Sequence, residues 1–179
     1  MKKLIILFFI TTNCFAGNPD RAGSAGASEL LINPWARSSG WAGANMASVR
    51  GLEAIYLNVA GIAFTKKTEL LFSKTKWLVG TDIDINAFGL TQKVGESSVL
   101  GFGIMSMGFG DIMRTTVEVP EGGLGTFSPS YLNLNLSYAK EFSRSIYGGI
   151  TVKVISESIS DVAARGVAFD AGIQYVTGI

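Results

Sequence analysis

The chain has 179 residues, 47% of them apolar and 16% charged, and a net charge of +1. This composition excludes a disordered chain, and the near-neutral charge excludes the broad positive field that attracts nucleic acid. The sequence lacks histidine, the commonest general base and metal ligand, so we expect no enzyme, no metal site and no cofactor. Its 22 glycines favour an all-β fold, because glycine is costly inside helices.

Residues 1–16, MKKLIILFFITTNCFA, have the layout of a bacterial secretory signal peptide. Two lysines precede an apolar run from Leu4 to Ile10, and the small residue Ala16 precedes the expected cleavage site. The apolar run is far shorter than the roughly 20 residues that a spanning helix needs. Lipidation at Cys14 is the alternative. Removal of the signal peptide would leave no cysteine, which excludes disulfides and thiol catalysis.

Residues 17–64 differ in pattern from the rest of the chain. They are rich in Ala, Gly and Ser, lack sustained alternation, and contain one expected short helix at residues 51–57. We interpret them as a hatch-like or plug-like segment. The alternative is a leader strand and a loop that lie against the wall of a sheet.

Six later segments alternate between apolar and polar residues, as amphipathic strands do. They span residues 68–76, 82–92, 99–107, 131–140, 147–156 and 167–179. The second segment changes phase, because Ile83 and Ile85 share one face whereas Phe88 and Leu90 share the other. This change predicts a β-bulge near Ala87.

The connections between these strands favour a membrane barrel over a secreted β-sandwich, although alternation alone fits both. Residues 93–98 and 140–145 form short connections, whereas residues 108–130 and 157–164 form longer ones. Short turns at one end and longer loops at the other are typical of outer-membrane barrels. The short first connection, residues 77–81, departs from this contrast. We therefore predict an antiparallel transmembrane β-barrel.

The two faces of the predicted strands would meet different media in such a barrel. Large apolar residues such as Leu134 and Phe169 should face lipid. Polar and small residues should face a wet lumen, where charge is tolerated, and Glu157 and Arg165 are included in this expectation. The principal lumen-facing candidates are Asn133, Asn135, Lys153 and Asp170.

A family resemblance rests on residues 36–63, ARSSGWAGANMASVRGLEAIYLNVAGIA, and on the later stretch FDAGIQY. The first stretch resembles the N-terminal signature of the PorV/PorQ family of FadL-like outer-membrane barrels. In that signature an arginine precedes a Gly/Ala-rich segment, and an Asn-Pro-Ala-Gly-like turn introduces the first strand. The matching positions are Arg37, Gly43, Ala44, Asn58, Ala60 and Gly61. The chain departs from the signature at Val59, where the family usually has proline.

The resemblance implies a FadL-like barrel of the type IX secretion system in the outer membrane. Such a barrel would receive the C-terminal signal domain of secreted cargo proteins and pass it towards the attachment machinery. Its expected partners are membrane lipid, secreted cargo and other components of the secretion system, with no nucleic acid. The alternative function is a FadL-like channel that admits hydrophobic small molecules past an N-terminal hatch.

Six strands are too few to close a barrel, since the smallest bacterial single-chain barrels have about eight. We therefore expect residues 65–179 to be the N-terminal part of a longer barrel.

Two other motifs carry weaker interpretations. The stretch GFGIMSMGFG, residues 101–110, is similar to a phosphate-binding loop, but Ser106 occupies the third glycine position and the stretch reads as a strand. Asp82 and Asp84 lie on one face of a predicted strand and could hold a calcium ion together with loop oxygens, although two carboxylates near a strand end are more often solvated.

Overall fold

The computed structural model describes residues 26–177. The predicted signal peptide, the lipidation alternative at Cys14 and the last two residues of the sixth predicted strand lie outside the described residues. The long strands are β1 Thr68–Trp77, β2 Ile83–Val94, β3 Ser98–Gly108, β6 Ser130–Ser143, β7 Ile146–Ile159 and β8 Val162–Tyr175. Two short strands, β4 Ile112–Met113 and β5 Thr126–Phe127, pair with each other.

The six long strands form one antiparallel sheet in the order β1-β2-β3-β6-β7-β8, which confirms the predicted all-β fold. Each long strand therefore pairs with the long strand before and after it in the chain. Strands β1 and β8 form the two edges of this open sheet.

Residues 26–64, here called the N-terminal segment, carry four short helices and no strand. The helices are a 3-10 helix at Ser28–Leu31, an α-helix at Ala36–Gly40, and 3-10 helices at Leu52–Tyr56 and Val59–Phe64. The predicted short helix at residues 51–57 is thus the second 3-10 helix. It contacts β1, β2 and β3, whereas the third 3-10 helix contacts β3, β6, β7 and β8. We call the face that these helices cover the inner face.

The predicted bulge near Ala87 is wrong. Ala87 pairs with Ser73 of β1 and with Met105 of β3, and the register on both sides continues without interruption. An irregularity lies instead in β6, where the pairing with β7 shifts between Glu141 and Ser143.

The change of phase in β2 reflects the surroundings of its inner face. Ile85 is buried within the hydrophobic core, and the half-buried Ile83 packs against the same cluster. Phe88 and Leu90 lie on the opposite, outer face. The pairing of β2 thus stays regular, although its large apolar residues change from the inner to the outer face. They lie on the inner face where apolar residues of the N-terminal segment cover that face.

The predicted longer loop at residues 157–164 is also wrong. Strands β7 and β8 continue to a tight turn at residues 160–161, where Ser160 has a left-handed φ of 52°. Of the connections at this end, which we call the loop end, only residues 109–129 form a long loop. The other two are residues 78–82 and 160–161. The opposite end, which we call the turn end, has short turns at residues 95–97 and 144–145.

The outer face carries a continuous band of apolar side chains across all six long strands. Two adjacent rows of directly paired residues form this apolar band. They are Phe72, Phe88, Ile104, Leu134, Val154 and Val167, followed by Leu70, Leu90, Phe102, Leu136, Val152 and Phe169. Nine of these twelve side chains are exposed, and Leu90, Ile104 and Leu134 are half-buried.

Polar residues bound the apolar band towards the loop end. The next row of paired residues is Lys74, Asn86, Ser106, Leu132, Ser156 and Arg165. The outer face therefore changes from apolar to polar within one row on five of the six strands, and Leu132 of β6 is the apolar residue in that row.

Candidate functional site: the inner face and its N-terminal cover

The inner face combines polar and apolar residues, and the N-terminal segment buries much of it. Its buried polar side chains are Thr91, Asn133, Asn135, Ser137, Thr151, Lys153 and Gln174. All four lumen-facing candidates, Asn133, Asn135, Lys153 and Asp170, lie on this face. Arg165, contrary to expectation, lies on the outer face beside Ser156. The covered face thus carries the buried polar residues together with core residues such as Ile85, Met105 and Ile155, whereas the apolar rows of the outer face are exposed.

An ion pair joins β7 and β8 on the inner face. Lys153 Nζ lies 2.6 Å from Asp170 Oδ2, and the side chains are 6% and 43% exposed, respectively. Desolvating the lysine costs free energy that its carboxylate partner offsets, so the loss of that partner would leave a buried, uncompensated charge.

The two inner-face asparagines differ in their contacts. Asn135 Nδ2 donates a hydrogen bond to Tyr56 Oη over 3.0 Å, which connects β6 to the second 3-10 helix. Burial raises the pKa of Tyr56, which keeps its phenol neutral to higher pH. The Tyr56 and Trp35 rings pack edge to face, with ring centroids 6.0 Å apart. Neither polar atom of the Asn133 amide finds a partner among the described residues.

Arg37, the first position of the family-like signature, pairs with Glu53. Arg37 Nε lies 2.9 Å from Glu53 Oε1, and Ser38 Oγ donates to the other carboxylate oxygen. The Arg37 side chain is 73% exposed, so the ion pair itself contributes at most about 1 kcal/mol. Arg37 instead supplies the buried Glu53 carboxylate with a charged partner. The sequence analysis did not identify Glu53 as part of this contact.

Asn58 links the N-terminal segment to the edge strand β8. Its Oδ1 accepts a hydrogen bond from Ala60 N over 3.2 Å and so caps the third 3-10 helix. Its Nδ2 donates to the Ile173 carbonyl of β8 over 3.2 Å. Val59 occupies the first position of this helix, where proline is well tolerated. The valine side chain is buried and faces Gly149 of β7.

A second link to β8 comes from Gln174. Its Nε2 donates to the Val49 carbonyl over 3.0 Å. Two further signature positions lie in the turns before Val49: Gly43 is half-buried and has a left-handed φ of 80°, and Ala44 is exposed.

Four inner-face glycines allow the N-terminal segment to approach the sheet closely. They are Gly89, Gly101, Gly149 and Gly172. A β-carbon at Gly89 would lie 2.6 Å from Leu52 Cδ2, and one at Gly172 would overlap Asn58 Oδ1. Larger residues at these positions would therefore displace the segment.

We expect Gly61→Ala to loosen the N-terminal segment by about 1–3 kcal/mol, because its β-carbon would overlap the Val49 carbonyl oxygen. Limited proteolysis of the folded chain should then cut at Arg50 faster than in the parent. Gly40→Ala is the control, since nothing lies within 4 Å of its added β-carbon. Equal cleavage rates in the two variants would contradict the tight fit at Gly61.

A cavity of about 1010 Å³ lies between the N-terminal segment and strands β7 and β8. Apolar residues including Leu30, Ile55 and Leu57 line one part, and the Lys153–Asp170 pair lines another. A space with this lining suits a small amphipathic molecule with an apolar body and one polar group.

Carboxylates do not form a metal site within residues 26–177, where no group of three or more potential metal ligands is clustered. Asp84, one of the two calcium candidates, instead lies 3.9 Å from Lys74 on the outer face. No helix within the same range is long and apolar enough to cross a membrane.

Comparisons of the chain with protein-family models, with curated proteins and with solved structures found no match.

Proposed function

We propose that this chain belongs to an outer-membrane β-barrel of the type IX secretion system, which binds the C-terminal signal domains of cargo proteins and passes them to the attachment machinery. The membrane location is supported by the distribution of polarity over the sheet. The secretion role is supported by the resemblance of residues 36–63 to the PorV/PorQ signature.

The apolar band is the observation that carries the membrane location. Soluble proteins rarely expose a contiguous apolar surface larger than a few hundred Å², and a one-layer soluble sheet would bury its apolar face. Here the N-terminal segment covers the inner face, and twelve apolar side chains of the uncovered outer face form two unbroken rows. Lipid is the medium that suits this face.

Strand length agrees with the same proposal. A transmembrane strand needs about 9–11 residues when tilted. Strands β1, β2 and β3 have 10, 12 and 11 residues, and β6, β7 and β8 have 14 each.

The backbone groups at the two free edges of the sheet need hydrogen-bond partners in a membrane. The outer edges of β1 and β8 would leave unpaired backbone groups in lipid, each at a cost of several kcal/mol. The proposal therefore requires that strands from outside the described residues pair with both edges.

Deletion of the gene tests the secretion role. We expect the deletion strain to lose, from its medium and its cell surface, many proteins that share one C-terminal domain. Reintroducing the parent gene should restore them, and the tagged protein should fractionate with the outer membrane. An unchanged set of exported proteins would contradict the secretion role, and recovery as a soluble periplasmic protein without detergent would contradict the membrane location.

The 1010 Å³ cavity favours a second candidate, a FadL-like channel for hydrophobic small molecules. Its amphipathic lining fits such a ligand better than it fits a folded protein domain. The deletion strain distinguishes the two functions: a channel predicts normal export together with impaired uptake of a lipid-like compound.

A further inference from the structure

The two ends of the sheet carry opposite charge. The turn end, counted over its turns at residues 95–97 and 144–145 and over residues 66–67 before β1, has three basic side chains and one acidic side chain. The loop end, residues 78–82, 109–129 and 160–161, has five acidic side chains and one arginine. The chain's net charge of +1 conceals this separation. Anionic head groups would be attracted to the turn end and repelled by the loop end.

An apolar groove of about 660 Å³ lies on the outer face close to the turn end. Its lining includes Ile150, Ala171 and Ile173, and Tyr138 and Phe142 form its aromatic part. The groove is deep at Gly148 because this residue has no side chain; a β-carbon there would lie 2.8 Å from the Phe142 ring. The groove is continuous with the apolar band, because Ile150 and Ala171 follow Val152 and Phe169 along the outer faces of β7 and β8.

Basic side chains stand at the turn end of this groove. Lys140 pairs directly with Gly148 across β6 and β7, so it borders the groove. Arg144 lies in the exposed turn that follows. The Tyr138 hydroxyl, 2.9 Å from Ser98 Oγ, adds a polar group at the same level. An apolar groove bordered by Lys140 and the Tyr138 hydroxyl, with Arg144 in the turn beyond it, matches a lipid that has an acyl chain and a negative head group.

We propose that this groove binds an anionic phospholipid of the membrane, with one acyl chain along Gly148 and Ala171 and the phosphate between Lys140 and Arg144. The inference rests on the proposed membrane location and adds a lipid specificity to it. The charge at this end selects an anionic head group, and the groove fixes where the lipid lies.

Native mass spectrometry of the full chain, purified in mild detergent, tests this site. Phosphatidylglycerol and phosphatidylcholine are added separately to the micelles. We expect one phosphatidylglycerol to stay bound to the parent and phosphatidylcholine to bind about tenfold more weakly or less. The double variant Lys140→Gln/Arg144→Gln should lower phosphatidylglycerol binding about 25-fold, since each basic residue near an anionic lipid contributes about a factor of five.

A matched control separates the site from general attraction. Lys66→Gln/Lys67→Gln removes the same charge from the same end, away from the groove, and should leave binding unchanged. Gly148→Val should reduce binding of both lipids, because it fills the groove. Equal binding of the two lipids by the parent, or an equal loss in the control, would overturn the proposal. Recovery of the parent without detergent would instead refute the membrane location.

Discussion

Phe169→Arg should weaken insertion into a bilayer by about 2–4 kcal/mol, the cost of an arginine near the midplane on the lipid face of a barrel. Phe169 lies within the apolar band and is 76% exposed, so no neighbouring side chain would shield the charge. Leu134→Arg, in the adjacent row, should act in the same direction. Urea titration of the protein folded into lipid vesicles, with and without the change, measures the difference.

The control for this experiment is Ser156→Arg. Ser156 lies on the same outer face, beside the native Arg165, in the polar row that borders the band. Arginine there should cost less than about 1 kcal/mol, as expected near an interface. Equal losses for Phe169→Arg and Ser156→Arg would show that the band does not face lipid. Arginine at the inner-face residue Asn133 would not be a suitable control, because Asn133 is 0% exposed and the change would disrupt buried packing.

Asp170→Asn should destabilise the fold by about 3 kcal/mol, because it leaves the Lys153 charge buried without its partner. The value lies at the low end of the usual range, since the Asp170 side chain is 43% exposed and water reaches this side of the pair. The free energy of unfolding, from denaturant titration in detergent, measures the effect.

The double variant Lys153→Met/Asp170→Asn distinguishes lost charge balance from lost packing. It removes both charges and retains most of the side-chain volume, so it should recover most of the stability that Asp170→Asn loses. A double variant as unstable as Asp170→Asn alone would mean that the ion pair is not the reason for the loss.

The positions of the strands could be predicted because most of the strands keep large apolar residues on one face and polar or small residues on the other over several residues. In β6 the alternation of leucines with Asn133, Asn135 and Ser137 continues without a break, and the structure places the two sets on opposite faces. The all-β fold follows from six such patterns.

The errors arose where the surroundings change along a strand. In β2 the inner-face residues Ile83 and Ile85 contact the apolar core, whereas the next large apolar residues, Phe88 and Leu90, lie on the outer face. In the sequence this change of face resembled a shift in strand register. At residues 157–164, a mixture of polar and small residues indicated a loop, yet β7 and β8 pair to Ile159 and Val162. Backbone pairing extends strands past the point where their side chains show a pattern.

The contacts of the N-terminal segment were not visible in the sequence, because they join residues far apart in the chain. Glu53 gave one signal, a carboxylate within an apolar stretch, which indicates that a partner such as Arg37 is required. Gln174 gave none, since its partner is a backbone carbonyl. The inner-face glycines show how closely the segment approaches, but only after the sheet is known.

The links between the N-terminal segment and β8 have a consequence for the order of folding. Asn58 and Gln174 each bond across more than a hundred residues, with separations of 115 and 125. The segment is synthesised first, yet its hydrogen-bond partners on β8 are synthesised near the end of the chain. It therefore completes its docking late, after the long-range loop closure that makes such contacts slow to form. Until then the polar residues of the inner face are hydrated, and water leaves them as the segment docks.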